Sequence, residues 1–442
     1  MSDELSSLEH RVQEALRIFI FLSPGRHQTV TSISDTQTEQ FPNPRYVRPV
    51  HPAVQEERLP AKVAWFDRDQ QTIRHFQTGI SIHSHTSRSK ESLEFVLRMF
   101  EAHPLLRSFL RGKAGEASKT GIPLDLAHAY WTPPLCPRSA YEIEKNQIEQ
   151  KLGLQALVSL SDHDCIEAPM LLRVVSALQT PVSLEWTVPF QKSKFHLGVH
   201  NLPGAQAQEW MSELKACTAQ PSTERVCDLL RTLNAIPEVL VVFNHPLWNL
   251  YGFPAAEFHQ DVEDFLALNN AGLHAFELNG LRTWDENRRT AELAARWQQL
   301  IVSGGDRHGC EPNANLNLTN ATSFAEWVHE VRVERVSHLL FMPQYDYPLV
   351  ARCYQTFLDA VRQYPDHSDG ACKWDQRTFH PGRDGSPQPL SALWTAVPGF
   401  LQAILNFASI AETTPVLSTL RRYGAKPARS MPGIFGQEEG AL

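Results

Sequence analysis

Between residues 78 and 343 the sequence keeps returning to one pattern, a short apolar run followed in most cases by a side chain able to bind a metal ion. The runs are GISIHSH, ALVSLSDHD, PVSLEW, KFHLGVH, VLVVFNHP, LHAFELNG, LIVSGGDRH and VSHLLFMP. His83 and His85, Asp162 and His163, Glu185, His245, Glu277, and Asp306 and His308 sit at the carboxyl ends of six of them or just past. Longer amphipathic stretches separate many of the runs, which is the alternation of βα units. Barrels of parallel strands collect their sites at the carboxyl ends of the strands, so this placement predicts one shared site. Helices are expected over 91–111, 139–151, 222–234 and 286–300, with Ser139 and Glu142 forming a capping box in the second.

Composition narrows the partners. The chain has 442 residues, 42% hydrophobic and 20% charged, enough for one large α/β domain with extensions or two ordinary domains. Its formal charge of −8, from 41 Lys+Arg against 49 Asp+Glu, offers no general electrostatic reason to bind a long nucleic acid or an anionic membrane. Seven scattered cysteines without a C-x-x-C pair fit a reducing cytoplasm better than a disulfide framework. The opening MSDELSSLEHRVQEALRIFIFLSPG reads as an amphipathic helix, not an export signal. Residues 390–411 carry no charge, but Pro398, Gln402 and Asn406 interrupt them, so they read as buried or subunit-contact helix and not as a membrane span. The expected organisation is a helix and extended arm over 1–77, a metal-binding domain over 78–345, and a helical extension over 346–442 through which copies could associate.

Side chains at i and i+2 of a strand share a face, so His83 and His85 can reach one ion, and the same period pairs Asp306 with His308. Arg88, Arg282 and Arg307 lie a short step from these motifs and are the candidate cations for a phosphate; Arg282 has a salt bridge with Asp285 or Glu286 as its alternative. His200, four residues past His196, either protonates a leaving oxygen or supports the ligands from behind. Asp162 and Asp164 either orient His163 and its neighbours or cap the following helix. Tyr130, Trp131, Trp248 and Tyr251 either stack on a substrate ring or fill the mouth of the barrel.

Taken in order, SIHSHTSRS, LVSLSDHD, SLEW, FHLGVH, FNHP and SGGDRHG resemble the PHP (polymerase and histidinol phosphatase) superfamily of metal-dependent phosphoesterases. The resemblance implies an α/β fold, a distorted (β/α)7-type TIM-like barrel, with metals at the carboxyl ends of its strands. It implies His83, His85 and Asp306 on one metal, Glu185 bridging to a second held by His196 and His245, and His163 and His308 toward a third. It further implies hydrolysis of small phosphate esters by a metal-bridging hydroxide, with two or three divalent ions. Imidazole and carboxylate ligands suit Mn²⁺ or Zn²⁺, and Fe²⁺ is also compatible. One position departs from the family. Lys90 stands where an acid is usual, so it is expected to replace a third ion's charge beside the substrate phosphate, or else Glu91 takes the ligand role after a register shift, or Lys90 is solvated and Glu91 starts a helix. The rival readings are an amidohydrolase-like enzyme acting on amides or lactones and a non-catalytic metal-binding scaffold.

Overall fold

A computed structural model describes residues 61–94, 125–175, 178–249, 252–367, 369–393 and 406. The expected amino-terminal helix, residues 95–111 of the helix expected over 91–111, Tyr251 and most of the uncharged carboxyl-terminal segment lie outside the described residues. The strands are β1 (Ala61–Trp65), β2 (Thr78–Ile82), β3 (Glu91–Ser92), β4 (Tyr130–Trp131), β5 (Gln155–Ser159), β6 (Val182–Phe190) and β7 (Ser193–Leu202). They continue with β8 (Leu240–Asn244), β9 (Ala275–Asn279), β10 (Leu300–Gly304), β11 (Asn315–Thr319), β12 (Ser337–Phe341), β13 (Thr378–Pro381) and β14 (Pro387–Pro389).

These strands form a mixed α/β fold with three sheets, ordered β1-β12-β11-β2-β5, β10-β9-β8-β7-β6 and β14-β13-β4-β3, and none of the three closes into a barrel. All eight apolar runs are strands, but they are not all parallel. Only Gln191 and Lys192 separate β6 from β7, and a two-residue turn can join antiparallel strands alone. β1 was expected within an arm; it pairs in parallel with β12 along its whole length. β11 escaped prediction because its NLNLT alternation puts asparagine, a poor strand former, at every second position. Those asparagines have another task, joining the two large sheets. Asn317 bonds both the N–H and the C=O of Ser303, and the Asn315 amide donates to the Leu278 carbonyl.

Helix ends moved for local reasons. The helix Pro137–Asn146 starts on proline with Cys136 before it, so Ser139 lies inside the first turn and makes no capping box. In the helix Thr223–Asn234, Ser222 accepts from the Arg225 N–H as an N-cap should. The helix Trp284–Arg296 begins after Thr283, which caps Glu286 N–H, and stops short because β10 starts at Leu300. In the carboxyl flank the helix Leu349–Val361 is followed by β13 and β14, in a stretch expected to be loop.

The core lies between the sheets and their helices, with Trp186, Leu197, Phe243, Phe276 and Ile301 out of contact with water. At its site end the two large sheets touch through isolated parallel bridges, Ser84 with Arg307 and His163 with Glu185. Glu144, fully buried, anchors the first of these. It accepts from the Ser81 hydroxyl at 2.9 Å, the Asn313 N–H at 3.1 Å and Arg307 Nε at 2.8 Å. Arg307 passes this on by donating to the carbonyls of His85 at 3.0 Å and Gly309 at 2.8 Å. Deleting one partner of a buried ion pair strands the other charge, so Glu144→Ala should lower unfolding free energy by about 3–5 kcal/mol. Urea unfolding followed by tryptophan fluorescence checks this, with a lower midpoint and an unchanged slope as the expected result.

Candidate metal centre

Most of the metal-competent side chains sit where a strand runs out, while Glu185 and His196 lie within β6 and β7. β2 delivers His83 and His85, and β10 delivers Asp306 and His308 after Gly305. The two ends are stitched by Asp306 N–H donating to the His83 carbonyl at 2.7 Å and His85 N–H donating to the Arg307 carbonyl at 2.9 Å. His83, His245 and Asp306 are non-glycine residues at φ of 62°, 27° and 57°. Such conformations cost on the order of 1–3 kcal/mol each and persist where the surroundings over-determine them, typically at functional sites.

Glu185, on β6, is the point of convergence. Its Oε2 lies 3.2 Å from His83 Nε2, 3.4 Å from His85 Nε2 and 3.3 Å from His163 Nε2. Its Oε1 lies 3.3 Å from His245 Nε2 and 3.5 Å from His196 Nδ1. Asp306 Oδ1 stands 3.6 Å from the Nε2 atoms of both His83 and His85. All eight ligands implied by the family resemblance are therefore drawn together, in overlapping groups that include His83, His85 and Asp306, and His163, Glu185 and His196. A further group adds a residue weighed only as an alternative: Glu91 Oε2 lies 3.3 Å from His163 Nε2 and 3.0 Å from His308 Nε2, with His85 beside them.

The electrostatics follow from this crowding. Burial works to neutralise Glu185, but the imidazoles of His83, His163 and His196 outweigh it and hold the carboxyl well below its ordinary range. Burial is likewise overcome at Asp306, chiefly by His83, and at Glu91, chiefly by His308 and His163. His163, although buried, is pushed up to about 10 by Glu185 and Glu91, while burial and His308 bring His85 down to about 4. His83 Nε2, His85 Nε2 and Glu185 Oε2 are buried and have no hydrogen-bond partner among the described residues. Imidazole nitrogens and carboxylate oxygens converging in this way match what a divalent cation requires once it displaces the imidazole protons, and these donors suit Mn²⁺, Zn²⁺ or Fe²⁺.

Behind the ligands stands Glu277 of β9. Its Oε1 meets His83 Nδ1 at 2.5 Å, leaving Nε2 to face Glu185, and its Oε2 accepts from His245 N–H and Asn279 Nδ2, each at 2.9 Å. Space for it comes from Gly304, where a Cβ would sit 1.8 Å from Glu277 Oε1. Ser89 supports the other side, donating to Glu91 Oε1 at 2.6 Å and accepting from His163 N–H at 3.0 Å.

Other expected site residues lie apart from the cluster. Lys90, just before β3, is exposed with Nζ 5.2 Å above the Tyr130 ring, while Glu91, the first residue of β3, is buried and faces the cluster. Arg307 is buried and spends its donors on Glu144 and backbone carbonyls, so it is a fastener of the seam. Arg88, partly exposed, faces Asp369 at 3.4 Å and Glu167 at 3.9 Å. His200 pairs with Leu240 at the far end of β8 while His196 pairs with Asn244 at the near end. The four-residue step moves its backbone roughly 13 Å along the strand, but its ring turns back over Gly198 beside Asn244, whose amide donates to Glu185 Oε1 at 2.9 Å, so it stands behind the ligands. There burial lowers its pKa to about 3, and Nδ1 bonds the Ser159 hydroxyl at 2.9 Å. Asp162 grips the Thr86 N–H at 2.6 Å and hydroxyl at 2.7 Å, steadying the turn after His85; burial pushes it up to about 7. Asp164 accepts from Thr187 N–H at 2.9 Å. Arg282 does reach the cluster, with Nη2 3.5 Å from Asp306 Oδ2, Nε 3.7 Å from Glu286 Oε1, and its guanidinium 3.7 Å over the Trp248 ring.

No protein-family model matches the chain, and no curated protein matches it significantly. Among solved structures it is similar to a Bifidobacterium adolescentis protein described provisionally as a metal-dependent phosphoesterase, at 16% identity and a TM-score of 0.31 over 59% of this chain and 96% of that one. It is also similar to an amidohydrolase from Chromobacterium violaceum with bound sulfate and no metal, at 15% identity and a TM-score of 0.27 over 40% of this chain and 83% of that one. At these scores the likeness is a weak one of fold, and the functional argument stands on the site itself.

Two outcomes follow. Glu277→Gln should weaken Mn²⁺ binding by about 10–100-fold, the usual effect of removing a carboxylate behind a ligating histidine, as equilibrium dialysis would show. Because His163 carries its proton at pH 7 and a metal must displace it, loading should release protons and tighten as pH rises toward about 10. Calorimetry in two buffers of different ionisation enthalpy measures that release.

Proposed function

We propose that this chain is a hydrolase of small phosphate esters that works with divalent metal ions. The observation carrying the proposal is the double-faced Glu185, with His83 and His85 against one oxygen and His196 and His245 against the other. In this reading His83, His85 and Asp306 hold one cation, His196 and His245 a second, and Glu185 lies between. His163, His308 and Glu91 serve a third. Cations bound in such a cluster polarise a phosphoryl oxygen and acidify water at neutral pH. The chain's own contribution is to keep the carboxylate ligands ionised and the imidazoles aimed before substrate arrives, the preorganisation on which electrostatic catalysis depends.

Arg282 is the phosphate contact this reading favours. Its guanidinium is pinned between Trp248, Asp306 and Glu286 at the edge of the cluster, so it can meet a phosphoryl oxygen with little loss of side-chain freedom. Beside His196 and His245 is a shallow recess also lined by Lys194, Phe195, Pro246 and Trp248. Arg88 stands at the rim for a more distant charge. The seams between the two large sheets support a distorted, incompletely closed PHP-type barrel. Free cysteines and a net negative charge support a cytoplasmic enzyme of small esters over a binder of long nucleic acids or membranes. Among the described residues no helix is long and apolar enough to cross a membrane.

The test is turnover by Mn²⁺- or Zn²⁺-loaded protein of phosphomonoesters, phosphodiesters, nucleotides, lactones and amides. Phosphate esters should be cleaved, with His83→Ala and Asp306→Ala each lowering kcat/KM beyond the roughly 10–100-fold typical of residues behind the ligands. Arg282→Lys should raise KM for the ester, since an ammonium cannot reproduce the planar fork. Turnover confined to lactones or amides, or equal turnover by the His83 and Asp306 variants, sinks the proposal.

A further inference from the structure

We propose that the hairpin β13–β14, from the carboxyl flank, is a clamp that sets Glu91 in the metal cluster, so that cation occupancy at His85, Glu91, His163 and His308 depends on a segment far along the chain. The inference rests on the metal-centre part of the reading above and not on the identity of the substrate.

The ligands differ in how they are held. His83, Asp306, Glu185 and His245 leave strands of five residues or more in the two large sheets, whose ladders would survive loss of any small neighbour. Glu91 lies on β3, a strand of two residues. Among the described residues β3 pairs only with β4, Glu91 opposite Trp131 and Ser92 opposite Tyr130, with Leu93 N–H donating to the Ala129 carbonyl at 3.0 Å, and β4 is itself only two residues long. Two such pieces are far too short to hold each other in water, where even a full two-stranded hairpin is marginal. β13 supplies the missing edge. Thr378 pairs with Trp131 and Phe379 with Tyr130, and Thr132 N–H donates to the Arg377 carbonyl at 2.9 Å. Phe379 stacks on Tyr130 with ring centroids 5.0 Å apart and an interplanar angle of 16°.

β13 is firmly anchored in turn. Buried Arg377 donates to the carbonyls of Ala360, Arg362, Ala371 and Cys372, between 2.7 and 3.1 Å. His380 accepts from Asp125 N–H at 2.7 Å. The clamp also explains why Lys90 is turned outward: its ammonium lies over Tyr130, the ring whose other partner is Phe379, and the strand alternation then directs Glu91 to His163 and His308. Trp131, opposite Glu91, has its ring 6.1 Å from that of His308. Loosening β13 should therefore release one cation subsite and leave the others standing.

The experiment uses the full-length chain and Mn²⁺ as the probe, with equilibrium dialysis and elemental analysis of the parent, Phe379→Ala, Phe379→Tyr, Tyr130→Leu and Glu91→Gln. The parent should bind three ions, and Glu91→Gln should lose one of them. Phe379→Ala should bind that same ion about 10–100-fold more weakly, the effect expected when a support behind a ligand is removed, with the other two unchanged. Tyr130→Leu, which removes the stack from the other strand, should reproduce the selective loss, and Phe379→Tyr should restore the parent's affinity. Circular dichroism melts identify any variant that has merely unfolded, and the remaining substitution at the Phe379–Tyr130 stack then decides. Equal affinity for all three ions in Phe379→Ala and Tyr130→Leu overturns the proposal, as does uniform weakening of every ion in folded variants. A parent that binds two ions overturns it while leaving the Glu185 centre intact, and a parent that binds none removes both.

Discussion

A carboxylate cut off from water is tolerated only where opposite charge or hydrogen bonds replace what water supplied, and Glu185 is fully buried. Much of the molecule can be understood as an answer to that constraint. Five histidines from four segments of the chain surround its two oxygens, and the attraction of the imidazoles exceeds the penalty of burial. The same crowding leaves buried ligand atoms without hydrogen-bond partners among the described residues, an arrangement that divalent cations complete and that a purely apolar core would avoid.

Holding the cluster requires two large sheets to meet without sharing a continuous ladder. Side chains take over where backbone pairing stops. Asn315 and Asn317 bond the backbone of the opposite sheet, and Glu144 with Arg307 ties β2 to the loop after β10. Positive φ at His83, His245 and Asp306 belongs to the same arrangement, since the backbone must turn sharply for each side chain to face inward. Glycine handles the places where no side chain fits: a Cβ at Gly305 would lie 1.7 Å from Asn313 Cγ. Rigidity around the ligands and strain within them are two sides of one design.

The carboxyl flank belongs to this arrangement. The helix Leu349–Val361 supplies Arg352, which donates to the Arg282 carbonyl at 3.0 Å, and Asp359, which receives the Cys310 N–H at 2.7 Å just past the last ligand motif. β13 continues from there to the strand that faces Glu91. Support for the cluster thus comes from residues with no metal-binding chemistry of their own.

By itself the sequence determined the eight strand-forming runs and the set of groups at their carboxyl ends, because alternation and residue type are local properties that survive without knowledge of neighbours. His83 with His85, and Asp306 with His308, were legible from spacing alone. Tertiary structure decided what spacing cannot express. It turned Lys90 outward and Glu91 inward, because the facing of a two-residue strand depends on β4 and β13. It made Arg307 a fastener and set His200 behind the ligands beside Asn244, because a long side chain or a second histidine on the same face acquires its role from what surrounds it. It also left the sheets as two meeting faces and not one closed ring, since closure depends on strand pairings between segments hundreds of residues apart, which no local pattern encodes.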